Sequence, residues 1–165
     1  MKLRPAVAKD LHFILNQETR EEFQHLIRRW SPDEHLSNLK NPDKGYFMIE
    51  NDQSEVLGYI ILSDLKSVHH CVFLQRIVIA QPGKGQGKIA LKLIMQKVFE
   101  DYKAHRFWLD VFEYNHRARH VYKSLGFKEE GKLREAFKRE DKYHSLLIMS
   151  ILKHEYFLSV GVAEK

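Results

Sequence analysis

The chain has 165 residues, of which 44% are hydrophobic and 30% charged, a composition typical of one globular domain with its own core. Its 27 Lys and Arg exceed its 22 Asp and Glu by five, which favours anionic ligands, but basic and acidic residues are too intermixed to indicate nucleic-acid binding. One cysteine excludes an intrachain disulfide, and no apolar run is long enough to span a bilayer. We therefore expect one domain over residues 1–165, a cytoplasmic location, and neither a membrane nor a nucleic-acid partner.

The N-terminal part of the chain predicts a strand, two helices and a β-hairpin. Residues 2–7 are typical of a short strand, and apolar residues recur at helical spacing over residues 10–30. Ser31-Pro32 has the composition of a helix start, with a serine N-cap followed by a proline in the first turn. The runs GYFMIE and EVLGYIILS, separated by a polar turn, predict two hairpin strands.

The middle of the chain places a glycine-rich loop between a strand and a helix. Residues 72–79 are rich in β-branched side chains and predict a strand, and helical spacing of apolar residues begins at Ala90. Between them, Gly83, Gly85 and Gly87 allow a tight turn and the close approach of a ligand to backbone N–H groups. Because the following helix presents its positive end here, the loop predicts a phosphate-binding site.

The spacing of the loop restricts the kind of phosphate ligand. A Walker P-loop is excluded, because Pro82 stands where its first glycine should be and Ile89 where its hydroxyl residue should be. Gly85, Gly87 and Ala90 satisfy the G-x-G-x-x-A pattern of dinucleotide-binding proteins. That pattern usually opens its domain, whereas here it lies mid-chain, so a hydride-transfer enzyme is the weaker alternative, alongside a purely structural turn.

The C-terminal half predicts two further strands and a helix. Residues 105–112 are typical of a strand, residues 116–125 of a helix that ends before Gly126, and residues 145–152 of a buried strand. With the preceding elements, this order predicts an α+β domain whose sheet is mainly antiparallel and contains one or two parallel crossovers.

Three stretches of the chain resemble the GNAT superfamily of acetyl-CoA-dependent N-acetyltransferases: RIVIAQPGKGQGKIALKLI, RFWLDVFEYNHRARHVYKSLGFKEEGKLREAF and KYHSLLIMSIL. Within that superfamily the chain is most similar to the branch with ribosomal-protein N-terminal and spermidine-type acetyltransferases. The resemblance implies the GNAT fold, a mixed and mainly antiparallel central sheet of about seven strands flanked by about four helices.

Two family motifs carry this resemblance. The pyrophosphate loop Gln/Arg-x-x-Gly-x-Gly/Ala corresponds to residues 82–87, with Pro82 in place of the Gln or Arg. Asn115, Tyr122 and Gly126 match the second motif at the expected intervals. The resemblance implies that acetyl-CoA is the cosubstrate. The residues expected to contact it are Ile77, Val78, Ile79, Gly83, Lys84, Gly85, Gln86, Gly87, Lys88, Asn115, Arg119, Tyr122 and Lys123.

The implied reaction is acetyl transfer to a primary amine, either a protein N-terminus, a polyamine or another small amine, by direct attack. By resemblance, Tyr122 is the general acid towards the departing sulfur, and Asp110 is the base, with Glu113 as the competing carboxylate. Regular strand alternation would point Asp110 and Glu113 to opposite faces, so we expect only one of them to face the cleft. The alternative function is a non-catalytic acyl-CoA or nucleotide-binding module.

Other features of the sequence give weaker predictions. His69, His70 and Cys71 are adjacent in a chain segment next to a strand, where successive side chains diverge, so we expect no metal site. Glu18 and its acidic neighbours Glu21 and Glu22 are candidate partners for the acceptor amine, without any one being favoured. Oligomeric state is not determined by the pattern, and a homodimer is left open.

Overall fold

A computed structural model describes residues 1–161 of the chain. Within this range seven strands form one sheet. They are β1 (Lys2–Pro5), β2 (Gly45–Glu50), β3 (Val56–Ser63), β4 (Cys71–Ile79), β5 (Arg106–Phe112), β6 (Lys128–Arg139) and β7 (Lys142–Leu152). The helices of the same range are α1 (Leu11–Glu18), α2 (Glu21–Gln24), α3 (Pro32–Leu39), α4 (Gln86–Gln96), α5 (His116–Ser124) and α6 (Lys153–Val160).

The sheet is mainly antiparallel, as predicted. Its strand order is β1-β2-β3-β4-β5-β7-β6, and every neighbouring pair is antiparallel except the parallel pair β4 and β5. The predicted α+β class and strand number are confirmed, with more helices than expected. The single domain expected over residues 1–165 stays a prediction, and its last four residues, 162–165, lie outside the described range.

The parallel pairing in the centre of the sheet is short. It joins only Cys71–Phe73 of β4 to Arg106–Trp108 of β5, where the rings of Phe73 and Trp108 lie 4.3 Å apart between centroids. Beyond these three residues the two strands are no longer paired with each other. The sheet therefore opens into a gap between the C-terminal parts of β4 and β5.

A β-bulge in β4 turns its side chains towards a different layer. Ile61 pairs with Arg76 whereas Leu62 pairs with Leu74, so Gln75 is the extra residue. Before the bulge, Leu74 faces the larger core beneath α4 and α5; after it, Val78 faces the smaller core beneath α1 and α2. The bulge thus allows one strand to contribute to both cores.

The predicted helix over residues 10–30 is wrong in extent. The chain leaves helical geometry at Arg20, whose backbone is extended (φ −69°, ψ 135°) and whose guanidinium donates to Ala80 O at 2.6 Å. The short helix α2 follows, and residues 25–30 then form a loop. The apolar residues Leu26 and Ile27, which fit the helical period, lie in this loop instead.

Two elements of the C-terminal half were not predicted. Strand β6 has the sequence KEEGKLREAFKR and is exposed along nearly its whole length, so neither face carries the apolar alternation that identifies a strand. Helix α6 follows β7 directly and has no break before it in the sequence pattern. By contrast, the predicted start of α3 is confirmed, because Ser31 Oγ accepts the Glu34 N–H at 3.2 Å. Within residues 1–161, no helix is long and apolar enough to cross a membrane.

Candidate active site

A cavity of about 520 Å³ opens at the gap between β4 and β5. Its walls are the C-terminal part of β4, the glycine loop, the first turns of α4 and α5, the end of β5, and the loop after α2. Binding sites of α/β proteins commonly lie at such a point, where neighbouring strands separate at their C-terminal ends. The cavity is therefore the candidate active site.

The glycine loop forms the cavity wall at the N-terminus of α4. Gly83 and Gly85 have positive φ angles of 105° and 73°, a conformation that side chains disfavour. Helix α4 begins at Gln86 directly after this turn, so the N–H groups of Gln86 and Gly87 have no carbonyl of a preceding turn to bind, whereas Lys88 N–H donates to Gly85 O at 3.1 Å. These groups, with the positive end of the helix dipole, suit the pyrophosphate of a CoA ligand.

The free edge of β4 supplies further donors to the gap. Ala80 donates its N–H to Leu57 O at 2.8 Å, towards β3. Because N–H groups of a strand alternate in direction, the N–H groups of Ile79 and Ile77 point away from β3 towards the gap. Ile77, Val78 and Ile79 all line the cavity.

Tyr122 lies both in the core and on the cavity wall. Its ring is buried and packs against Phe127 with 5.8 Å between centroids. Its hydroxyl has no hydrogen-bond partner among residues 1–161, and the residue belongs to the cavity lining. Burial, with a smaller contribution from the charge of Asp110, raises the pKa of the Tyr122 phenol, so it stays protonated at neutral pH. Asn115 caps α5 beside it, accepting the Ala118 N–H at 3.2 Å.

The two candidate carboxylates are in different environments. Asp110 lines the cavity, and although its side chain is accessible, the surrounding walls partly desolvate it and raise the pKa of its carboxyl. Glu113 lies outside the cavity lining, and its carboxylate pairs with Lys132 at 2.7 Å. The arrangement places only Asp110 in the cleft with Tyr122.

The basic residues proposed for CoA are divided between the cavity and the surface. Lys88 lines the cavity together with Gln86 and Gly87, whereas Lys84 is exposed and donates to Gln81 Oε1 at 3.1 Å. Arg119 and Lys123 lie outside the lining and both pair with Glu129, at 3.4 and 3.3 Å.

The opposite end of the cavity was not identified from the sequence. It is formed by the loop after α2, where Leu26, Ile27 and Arg28 line the cavity together with Phe137 of β6. The loop is fixed by its carbonyl groups, since Tyr114 Oη donates to His25 O at 2.6 Å. The apolar residues here have helical spacing in the sequence. They were therefore assigned to a helix and not to a cavity wall.

A buried cluster lies behind this loop and uses one of the predicted amine partners. Glu18 is almost fully buried and accepts bonds from Tyr59 Oη at 2.8 Å and from Arg76, with His35 Nε2 at 3.2 Å. Burial alone would raise the pKa of Glu18, but His35, Arg76 and Tyr59 together hold it below its usual value. Glu18 is therefore engaged within the protein. Of the other candidates, Glu22 pairs with Arg20 at 2.5 Å.

No group of three or more His, Cys, Asp or Glu side chains within residues 1–161 is arranged to hold a metal ion. The groups of the cavity lining described above are backbone donors, the phenol of Tyr122 and the carboxyl group of Asp110.

The chain is similar to known acetyltransferases in sequence and in fold. The family model described as "Acetyltransferase (GNAT) family" matches residues 10–127. Spermidine N(1)-acetyltransferase of Escherichia coli strain K12 is 28% identical over 167 aligned residues, covering 94% of this chain and 88% of the relative. The corresponding enzyme of Vibrio cholerae is 27% identical, covering 94% of this chain and 95% of the relative.

The solved structures agree with this relationship. The crystal structure of spermidine N-acetyltransferase from Vibrio cholerae in complex with CoA and spermine superposes with a TM-score of 0.85 at 27% identity, covering 94% of this chain and 97% of that one. These findings confirm the predicted fold, the predicted family and acetyl-CoA as the cosubstrate. The chain belongs to the GNAT acetyltransferase family and is an acetyl-CoA-dependent N-acetyltransferase.

Proposed function

We propose that the chain acetylates an aliphatic primary amine by direct attack of the amine at the gap between β4 and β5. The observation that carries the proposal is that Asp110, Tyr122 and the glycine loop line one cavity. Acetyl-CoA supplies an activated acetyl thioester there. The residues of the chain supply the proton transfers and the donors that hold the developing charge.

Each role follows from position and protonation. Asp110, with its raised pKa, takes the proton of the acceptor ammonium, directly or through a water molecule. The N–H groups of Ile77 and Ile79 face the gap and suit the thioester oxygen as its negative charge grows. Tyr122 keeps its proton at neutral pH and gives it to the departing sulfur. No other acidic side chain lines the cavity in the described part of the chain.

The relatives support an aliphatic amine as the acceptor. Two of them are named for spermidine, and a structural neighbour was solved with CoA and spermine. The chemistry that the named polyamines offer is a primary amine on an unbranched carbon chain. That primary amine is the reacting group of the proposed acceptor.

A CoA-release assay tests this function. The purified chain is supplied with acetyl-CoA and a panel of alkylamines, polyamines, amino acids and peptides with free N-termini, and the free thiol is measured over time. We expect at least one aliphatic amine to release CoA and to give its N-acetyl product by mass spectrometry. Tight acetyl-CoA binding without turnover across the panel would instead favour a binding module.

Two predictions about the setting of the protein accompany this proposal. We propose a cytoplasmic location, which is compatible with the single Cys71 being unpaired. We also retain a homodimer as a prediction for solution. Cell fractionation tests the first, and light scattering at micromolar concentration tests the second.

A further inference from the structure

The charges around the cavity are unequal. Four cationic residues line it, and Asp110 is the one acidic residue that does so within residues 1–161. The four are Arg28, Arg76, Lys88 and Arg117. An acceptor with several ammonium groups would have to enter a mainly positive cavity.

Three of these four cations have a partner. Two of them can bind the phosphates of CoA, and the third is paired with a carboxylate of the protein. Lys88 lies in the first turn of α4 and Arg117 in the first turn of α5, at the end of the cavity that suits CoA phosphates. Arg76 is buried, pairs with Glu18 and lies over the Trp30 ring at 4.5 Å. Of the four cations, Arg28, at the opposite end of the cavity, is therefore the one to which neither CoA phosphate nor a carboxylate has been assigned.

The backbone around Arg28 is held in place from three directions. Arg76 donates to Arg28 O, Arg139 donates to His25 O at 2.7 Å and to Ile27 O at 3.4 Å, and Tyr114 donates to His25 O at 2.6 Å. A loop fixed before binding loses less conformational freedom when a ligand arrives. The Arg28 side chain is thus presented from a fixed backbone.

The Arg28 guanidinium is available to a ligand. Arg28 is an exposed residue of the cavity lining, and its side chain makes no hydrogen bond or ion pair within residues 1–161. Arg28 makes a minor contribution to lowering the pKa of Glu34, which is lowered chiefly by the Ser31 N–H. Glu34 does not line the cavity, so it leaves Arg28 positive towards the acceptor.

We propose that Arg28 binds a negatively charged group of the acceptor, so that the preferred acceptor is a primary amine carrying a carboxylate instead of a second ammonium group. A guanidinium binds a carboxylate with two parallel hydrogen bonds, whereas a second ammonium group at this end meets a like charge. This inference rests on the proposed function and specifies the acceptor of that same site.

A matched series of amines tests the inference. Butylamine, 4-aminobutyrate and 1,4-diaminobutane present the same reacting amine on four carbons but end in a neutral, negative and positive group. The six-carbon series hexylamine, 6-aminohexanoate and 1,6-diaminohexane repeats the comparison at greater length. The readout is the ratio of kcat/KM for the carboxylate to kcat/KM for the diamine, which does not depend on the fraction of active enzyme.

For the unaltered chain we expect this ratio to favour the carboxylate by about tenfold or more in at least one series, the discrimination that one charged contact gives. Arg28→Glu is expected to reverse the ratio. Arg29→Glu makes the same change of charge at the neighbouring exposed residue, which does not line the cavity, and is expected to keep the original preference.

The outcomes separate the inference from the function on which it rests. Preference of the unaltered chain for the diamines, an unchanged ratio in Arg28→Glu, or turnover of other amines but of no carboxylate in either series would overturn the inference and leave the acetyltransferase function intact. Absence of CoA release with every amine would remove both.

Discussion

Asp110 and Tyr122 share one cavity, and burial raises the pKa of both side chains. For the carboxyl group, the shift makes the ionised form a stronger base, closer to the strength that proton removal at neutral pH requires. For the phenol, the shift keeps the proton in place at neutral pH, so Tyr122 is present as a proton donor and not as a base. The same desolvation therefore makes the carboxylate of Asp110 a stronger base and keeps Tyr122 protonated.

Replacing Tyr122 by Phe removes the hydroxyl and keeps the ring that packs against Phe127. We expect kcat to fall roughly tenfold to a thousandfold, because the departing sulfur loses its proton donor. The melting temperature and the acetyl-CoA Kd should stay close to the original, since the hydroxyl bonds to nothing within residues 1–161. Stopped-flow turnover and calorimetry measure the two effects; an unchanged kcat with chemistry rate-limiting would make Tyr122 structural.

Replacing Asp110 by Asn removes the proposed base. The original chain should lose kcat/KM as the pH falls through the raised pKa of Asp110, because protonation removes the base, and Asp110→Asn should have low activity without this acidic limb. A raised carboxyl pKa means that the folded chain binds the proton more tightly than the unfolded chain, so ionised Asp110 lowers stability above its unfolded pKa. Asp110→Asn should therefore melt at the same or a higher temperature at pH 7.

Glu113 provides the matched control for Asp110. It is three residues away, carries the same charge, and pairs with Lys132 outside the cavity lining. Glu113→Gln should keep both the rate and the acidic limb of the pH profile. Loss of activity in Glu113→Gln but not in Asp110→Asn would exchange the two assignments.

At the scale of single elements, the turn between β4 and α4 brings backbone donors to the cavity. Gly85 has φ 73° and directly precedes α4, so it is both conformationally special and near the positive end of the helix. Gly85→Asp should strain this turn and place a negative charge where phosphate is expected. We expect acetyl-CoA binding to weaken by more than about tenfold, or about 1.4 kcal/mol, as measured by calorimetry.

Gly131 in β6 is the matched control for this substitution. It has no positive φ, has no neighbouring atoms where a Cβ would be added, and does not line the cavity. Gly131→Asp adds the same side chain and charge and should leave acetyl-CoA affinity unchanged. If a folded Gly85→Asp variant binds as tightly as Gly131→Asp, the loop does not contact the cofactor.

An element could be predicted from the sequence when its burial required a run or a regular spacing of apolar residues. Strands β2, β3, β4 and β7 are extensively buried, so their apolar runs identified them. The exposed and charged β6 gave no such pattern. The loop after α2 was predicted to be helical because its apolar residues have helical spacing. These residues are apolar because they face the cavity and the core instead of water.

The parts of the site that belong to short sequence motifs could be predicted from the sequence. The glycine loop, Asn115 and Tyr122 are local motifs, and all of them line the cavity. The loop that carries Arg28 is held by residues distant in sequence, among them Arg76, which lies 48 residues later and bonds to the Arg28 carbonyl group. Contacts between such distant residues depend on the tertiary fold, and no local spacing encodes them.

At the scale of the whole molecule, the sheet consists of two antiparallel parts joined by a short parallel pairing. β1 to β4 form one part and β5 to β7 the other, and only three residues of β4 pair with β5. The helices α4 and α5 pack on the same large core and connect the two parts on one face. The cavity takes up the region in which further pairing between the parts is absent, so a ligand there contacts both parts.

Amide hydrogen exchange across this gap tests the whole arrangement. The N–H groups of Ile77 and Ile79 point into the gap, whereas strand alternation directs the N–H of Val78 towards β3, where Val78 is paired with Tyr59. Without cofactor, we expect fast exchange at Ile77 and Ile79 and slow exchange at Val78. If bound acetyl-CoA covers the first two amides, they exchange only from the free protein, so a free concentration 100 times the Kd should slow them by about 100-fold. Residue-resolved NMR measures all three amides in one sample, with Val78 as the internal control, and unchanged exchange at Ile77 and Ile79 under saturation would place the cofactor elsewhere.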